Sequence, residues 1–197
     1  MKKTALAAAF AATLLTPGVA SAQAIPGAVI AVVDLEKVTT QCTACKTALA
    51  ALQTQANALK SRETALAGPL KTERDAIQSA VNALQGKEPD QTLQNRIKAY
   101  EQKQQQAAQE LARQQNQIQR NQAYISQQIQ AKLGPIYQQV MQRRGANVMV
   151  EVGNTLASAS GLDVSTDVLT ALNQQLPSVV TTAPAAPAPA QKQPQGR

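Results

Sequence analysis

Gln85-Gly86-Lys87-Glu88-Pro89-Asp90 interrupts an otherwise unbroken helical stretch, and its reading decides the fold. Before it, Leu49, Ala56, Glu63, Leu70, Ile77 and Leu84 recur every seven residues. Leu52, Leu59, Leu66, Glu73 and Ala80 follow three residues later. Nine of these eleven positions are apolar, the stripe of a coiled-coil seam. After the interruption the stripe resumes with Leu93, Ile97, Tyr100, Ala107, Leu111, Ile118 and Ile125. It then drifts to Ile129, Leu133, Ile136 and Val140. Glycine suits a helix C-terminus, and Asp90 suits the N-cap of a new helix. The spacing therefore predicts two long helices, roughly 42–86 and 90–144, folded back on each other. Residues 42–144 form one hairpin arm with its tip near 86–90, roughly 65–80 Å long at 1.5 Å per residue.

The second half of the arm is polar where a seam wants apolar side chains. Gln104, Gln114, Asn121 and Gln128 occupy such positions, and fifteen of the residues from Gln91 to Gln130 are Gln. This predicts a loosely packed, mobile outer hairpin. Gly68-Pro69 and Gly134-Pro135 are expected hinges, because an internal proline removes a backbone hydrogen bond and bends the helix axis. The alternative is that Gly68-Pro69 ends a helix. The seven-residue pattern continues through the pair and favours a kink.

Outward from the arm, two short β-branched runs face each other across the sequence. Ala28-Val29-Ile30-Ala31-Val32-Val33 precedes the hairpin, and Asn147-Val148-Met149-Val150-Glu151-Val152 follows it. Residues 23–41 and 145–176 thus read as a small β-rich head of two or three strands and one short helix. Its core positions are Ile30, Val32, Val148, Val150 and Val152. So small a head falls below the ~70 residues at which one core becomes comfortable, which predicts strands shared among copies. The fold class is mainly α with a small β head, a long antiparallel coiled-coil-like hairpin projecting from a small β-rich body through which copies assemble. Residues 177–197, rich in Pro, Ala and Gln, read as a disordered tail. Residues 1–22 read as a signal peptide: Lys2 and Lys3, an apolar run from Ala5 to Leu15, and Ala20-Ser21-Ala22 as the cleavage signal.

Composition excludes much chemistry. There is no His, which removes the commonest general base and transition-metal ligand. With three Tyr, one Phe and no Trp, aromatic volume is scarce for a globular core. No catalytic, cofactor-binding or metal site is expected, and no enzyme activity. The +7 net charge is uneven: Lys46 to Arg144 holds 14 basic and 7 acidic residues, while 145–176 holds three acidic and no basic ones. A basic arm on a mildly acidic base fits an acidic partner. Nucleic acid is not that partner, given the export signal and so few aromatic residues for base stacking. Contact with lipid or lipopolysaccharide is compatible with the basic arms, without making this an integral membrane protein. Cys42-Thr43-Ala44-Cys45 is the one candidate chemical site. A redox-active pair normally sits on a thioredoxin-like scaffold, absent here. A local disulfide between Cys42 and Cys45 is the default in an oxidising compartment, with free thiols or pairing between chains as alternatives.

Taken together, the export signal, Ile30-Ala31-Val32-Val33-Asp34, the hairpin and the Val148-Met149-Val150 strand resemble the OmpH/Skp family of periplasmic chaperones. The most specific match is Asp163-Val164-Ser165-Thr166-Asp167-Val168-Leu169-Thr170-Ala171-Leu172-Asn173. It meets the family's D-(V/I)-(S/T)-x-x-V-(L/I)-x-x-L-N pattern at every fixed position. The resemblance covers residues 28 to about 176. It implies that the β-rich head is the trimerisation body of a homotrimer whose arms surround a cavity in the periplasm. Unfolded outer-membrane proteins would be held there without ATP. Physically, Ser165 or Thr166 is a good N-cap for a short helix whose Val168, Leu169 and Leu172 pack on the head. A structural or adaptor coiled-coil spacer is the alternative function. The Cys pair and the long Pro/Ala tail lie outside the family pattern.

Overall fold

A computed structural model describes residues 26–185. The expected signal peptide lies outside the described residues. The chain runs through strand β1 (Ile30–Val33), helix α1 (Leu35–Gln41), the long helices α2 (Thr43–Ala83) and α3 (Gln91–Arg144), strand β2 (Val148–Glu151) and helix α4 (Ser165–Gln175). Two single 3-10 turns, Val152–Asn154 and Ser160–Leu162, lie between β2 and α4. The molecule is a helical hairpin on a two-stranded head.

The two strands pair in parallel, Ile30 opposite Val148 and Val33 opposite Glu151. Parallel strands cannot be joined by a tight turn, so the whole hairpin is the crossover. Asn147 extends the ladder with its side chain: its Oδ1 accepts from the Val29 amide at 2.7 Å, and its Nδ2 donates to the Gly27 carbonyl at 2.8 Å. On the other side of β1 the Val164 amide donates to the Val32 carbonyl at 2.9 Å. β1 is therefore flanked on both sides, and β2 forms the edge.

The sequence reading began the first helix at residue 42. The structure adds α1 before it. Asp34, read as the end of the strand, is an N-cap: its Oδ1 accepts from the Lys37 amide at 2.7 Å. Cys42 then takes an extended backbone (φ −59°, ψ 127°) and separates α1 from α2. At the tip the first arm ends at Ala83, short of 86, because Gln85 (φ 48°) and Gly86 (φ 91°) both turn left-handed. Asp90 caps α3 as expected, accepting from the Leu93 amide at 2.8 Å. α2 continues unbroken through Gly68-Pro69, and α3 through Gly134-Pro135. Three cross-arm pairs, Gln55 with Asn121, Arg62 with Glu110 and Glu73 with Arg96, fix the antiparallel register.

The core does not respect the division between head and arm. Ala31 and Val33 of β1 and Val38 of α1 pack with Val164, Val168, Ala171 and Leu172. The arm roots contribute Ala44 and Cys45 from α2 and Leu133, Ile136 and Val140 from α3. Heptad spacing marks the roots as coiled coil and gives no sign of α1, so this shared core is larger than the head residues alone imply. α4 clasps the assembly. Its buried Ser165 hydroxyl accepts from the Asp34 amide at 2.8 Å and donates to Asp163. Neither Ser165 nor Thr166 caps α4 with its side chain. Asp163 Oδ1 instead accepts from the Ser165 amide at 2.8 Å. At the far end of α4, Asn173 Oδ1 accepts from the Thr43 amide at 2.9 Å and satisfies the start of α2.

The Ser165 hydrogen bonds hold the Asp163 carboxyl below the usual carboxylate range. Its contribution to stability is complete above its unfolded pKa of roughly 4 and is lost as pH falls through the lower folded value. Ser165→Ala leaves the half-buried Asp34 amide without its partner and should lower stability by about 1–2 kcal/mol in urea unfolding at neutral pH. It should also flatten part of the acid-side loss of stability below pH ~4.

Candidate functional site

Helix α3 carries its apolar residues in a stripe that is deepest near the root, where Ile125, Leu133, Ile136 and Val140 are buried. There the arms splay from the head and leave an open, mostly apolar cleft of about 500 Å³. Leu49 and Leu52 of α2 line one wall, Ile125, Ile129 and Leu133 of α3 the other, and Leu35 and Tyr137 the end near the head. Leu49 is 54% exposed, so the cleft presents real apolar surface to solvent. Burial and the nearby Glu151 carboxylate push the Tyr137 hydroxyl above its ordinary pKa.

Farther out, the hairpin is held by exposed polar links. Arg62 grips Glu110 through two nitrogens at 2.6 and 3.0 Å, and Arg96 grips Glu73 at 2.7 and 3.1 Å. These hydrogen bonds hold both carboxyls below the usual range. The excess positive charge of the arms remains on their surface.

The head shows a second apolar face. Ala31 and Met149 point toward the chain's own core, while Ile30, Val32, Val148 and Val150, expected at a shared core, lie on the opposite sheet face; Val152, expected with them, falls beyond β2 in the 3-10 turn. Of these, Val32 is buried in the chain, Val150 is half-buried, and Ile30, Val148 and Val152 are exposed. Val29, Leu156 and Leu162 add to the exposed apolar surface of the head.

Cys42 and Cys45 form a disulfide with Cα atoms 5.1 Å apart. Both are buried in the core at the root of α2. Among the described residues no cluster of metal-ligating side chains occurs, and no helix is long and apolar enough to cross a membrane.

The expected disorder of the tail fails at its start. Pro177 ends α4, but residues 178–183 then lie against the arms. Gln128 brackets Val180, donating to its carbonyl at 2.9 Å and accepting from its amide at 3.0 Å. Asn121 Oδ1 accepts from the Ala183 amide at 2.8 Å. Gln128 and Asn121, read as flaws in the seam, are hydrogen-bonded to this segment. Composition could not show it, because the bonds go to tail backbone rather than tail side chains. The tail beyond Ala185 lies outside the described residues.

The chain is thus an arm-bearing protein, a parallel two-stranded head whose crossover is a long helical hairpin. The family model for OmpH-like outer membrane protein matches residues 29–172. The chain belongs to that family. Its fold is similar to the crystal structure of an OmpH-like protein from Caulobacter crescentus CB15, provisionally an outer membrane chaperone. The TM-score is 0.67 at 15% identity, over 83% of this chain and 93% of that one. No curated protein matches the sequence.

Protonation of Glu73 and Glu110 should loosen the hairpin. Because both are depressed in the folded arm, their contribution is present above the unfolded pKa of roughly 4.3 and lost as pH falls through the folded values. Amide exchange near the tip should accelerate between pH ~5 and ~3, after correction for intrinsic rates. In Glu73→Gln with Glu110→Gln that acceleration should shrink, with exchange already faster at neutral pH.

Proposed function

We propose that this protein is an ATP-independent holdase of the periplasm that keeps unfolded outer-membrane proteins from aggregating. The observation that carries the reading is the open apolar cleft between the arm roots, flanked by long arms of net positive charge. An unfolded chain offers apolar side chains, which the cleft can cover, and an acidic client is drawn by the arms' field. Membership of the OmpH-like family supports the same role. The signal peptide read at residues 1–22 supports a periplasmic location.

The working unit is a homotrimer. Exposed Ile30 and Val148, with half-buried Val150, form an apolar sheet face, exposed Val152 follows in the turn after it, and β2 is a sheet edge. Both features favour association of heads. Three arms would then enclose a space into which the root clefts open. The Gly-Pro pairs serve as hinges: a Cβ at Gly68 or Gly134 meets nothing within 4 Å, so packing does not require either glycine.

The test dilutes a urea-unfolded porin with and without the mature protein and follows light scattering. Suppression at one trimer per porin is expected; none at that ratio would leave the protein as a spacer. Val150→Asp puts a charge in the shared face and should yield monomers by light scattering. Raising salt from ~0.05 to ~0.5 M shortens the screening length to a few ångströms and should slow porin capture while the trimer persists. A salt-independent rate would reduce the basic arms to a solvated face.

A further inference from the structure

The contacts of residues 178–183 share one property: every hydrogen bond joins tail backbone to a carboxamide side chain of the arms. Gln128 pairs with both the amide and the carbonyl of Val180. Asn121 takes the Ala183 amide at 2.8 Å, Gln117 Nε2 reaches the Ala183 carbonyl at 3.4 Å, and Gln55 Nε2 reaches the Thr181 carbonyl at 3.4 Å. The row is held in place from behind. Asn121 is 2% exposed, donates to Gln55 Oε1 at 2.8 Å and accepts from Gln117 Nε2 at 2.7 Å.

The spacing fits an extended chain. Gln128 and Asn121 are seven residues apart on α3, a rise of about 10 Å. Val180 and Ala183 are three residues apart, which also spans about 10 Å when extended. One heptad of helix thus matches three residues of strand-like chain. Gln114, one heptad farther out, is half-buried and donates to Glu110 at 3.1 Å, so it stands where a longer occupant would come next. A primary carboxamide carries one donor face and one acceptor face, as a peptide group does. It reads backbone and ignores side-chain identity.

We propose that Gln55, Gln117, Asn121 and Gln128 form a sequence-independent docking row for the extended backbone of another, unfolded polypeptide. The chain's own residues 178–183 are its resident occupant, displaced when that polypeptide binds. The proposal rests on the holdase reading for the identity of the polypeptide, and the row is separate from the apolar cleft. None of the four row residues lines the cleft. A tethered tail competes at an effective concentration of the order of millimolar, so it weakens occupants without excluding them.

The experiment uses the full chain. Val180→Pro with Ala183→Pro removes both tail amides that donate to the row and leaves the arms unaltered. The probes are a fluorescent synthetic peptide with the sequence of residues 177–185 and a urea-unfolded porin. Both should bind the double-proline protein about ten-fold more tightly than the unmodified chain. Adding Gln128→Ala should cancel the gain. Gln128→Glu, which keeps the acceptor and loses the donor, should cancel most of it with helicity unchanged. In the unmodified chain, porin binding should deprotect the Val180 and Ala183 amides in hydrogen exchange. Equal peptide binding by the unmodified and double-proline proteins would overturn the docking row. So would tail amides that stay protected in a porin complex. If the peptide shows the ten-fold difference but porin still aggregates, the row stands and the holdase reading falls.

Discussion

The parallel pairing of Ile30–Val33 with Val148–Glu151 is the constraint from which the rest of the molecule follows. A parallel pair must be bridged by a crossover, and here the crossover is more than a hundred residues of helical hairpin. Because both ends of the hairpin are anchored in adjacent strands, its two legs must leave the head side by side. Their roots cannot separate, so Leu133, Ile136 and Val140 become core residues of the head as much as seam residues of the arm. An arm mounted in this way is stiff where it starts. Farther out it depends on exposed ion pairs and carboxamides, which water and salt can replace.

The second fixed point is the α4 clasp. Its short sequence motif was the most informative stretch of the chain, and the structure shows why particular residue types occur at each place. Asp163 caps, Ser165 ties down the β1–α1 corner, Val168 and Leu172 fill the core, and Asn173 satisfies the first amide of α2. Two ends of one eleven-residue helix thereby hold both ends of α1. The helix buries its apolar face only because strand, corner and arm root are already in register.

Heptad spacing showed the hairpin directly, since a stripe that stops at a glycine and restarts after an aspartate has few other meanings. Local reasoning was weaker where one residue had two uses. Asp34 ends a strand and also caps a helix, so α1 went unseen. Gln128 and Asn121 looked like poor seam residues because their partners lie more than fifty positions away, in a segment whose Pro and Ala content argued for disorder. Polarity in a seam can mark looseness or a distant partner, and sequence spacing alone cannot choose. The open cleft was equally illegible, because it arises from the splay of the arms rather than from any residue pattern.

The separation of β1 from β2 along the chain also sets an order of events. Local hairpin contacts need no loop closure across the molecule, and helices form in microseconds. The head requires residues 30 and 148 to meet and α4 to arrive after both. As the chain emerges N-terminus first, β1 appears early and has both edges unpaired until the last third of the chain follows. The arms are then assembled before the head that anchors them is closed. In that interval the apolar strand β1 has both edges open, so the unfinished head is the part of the folding chain most open to pairing with another strand.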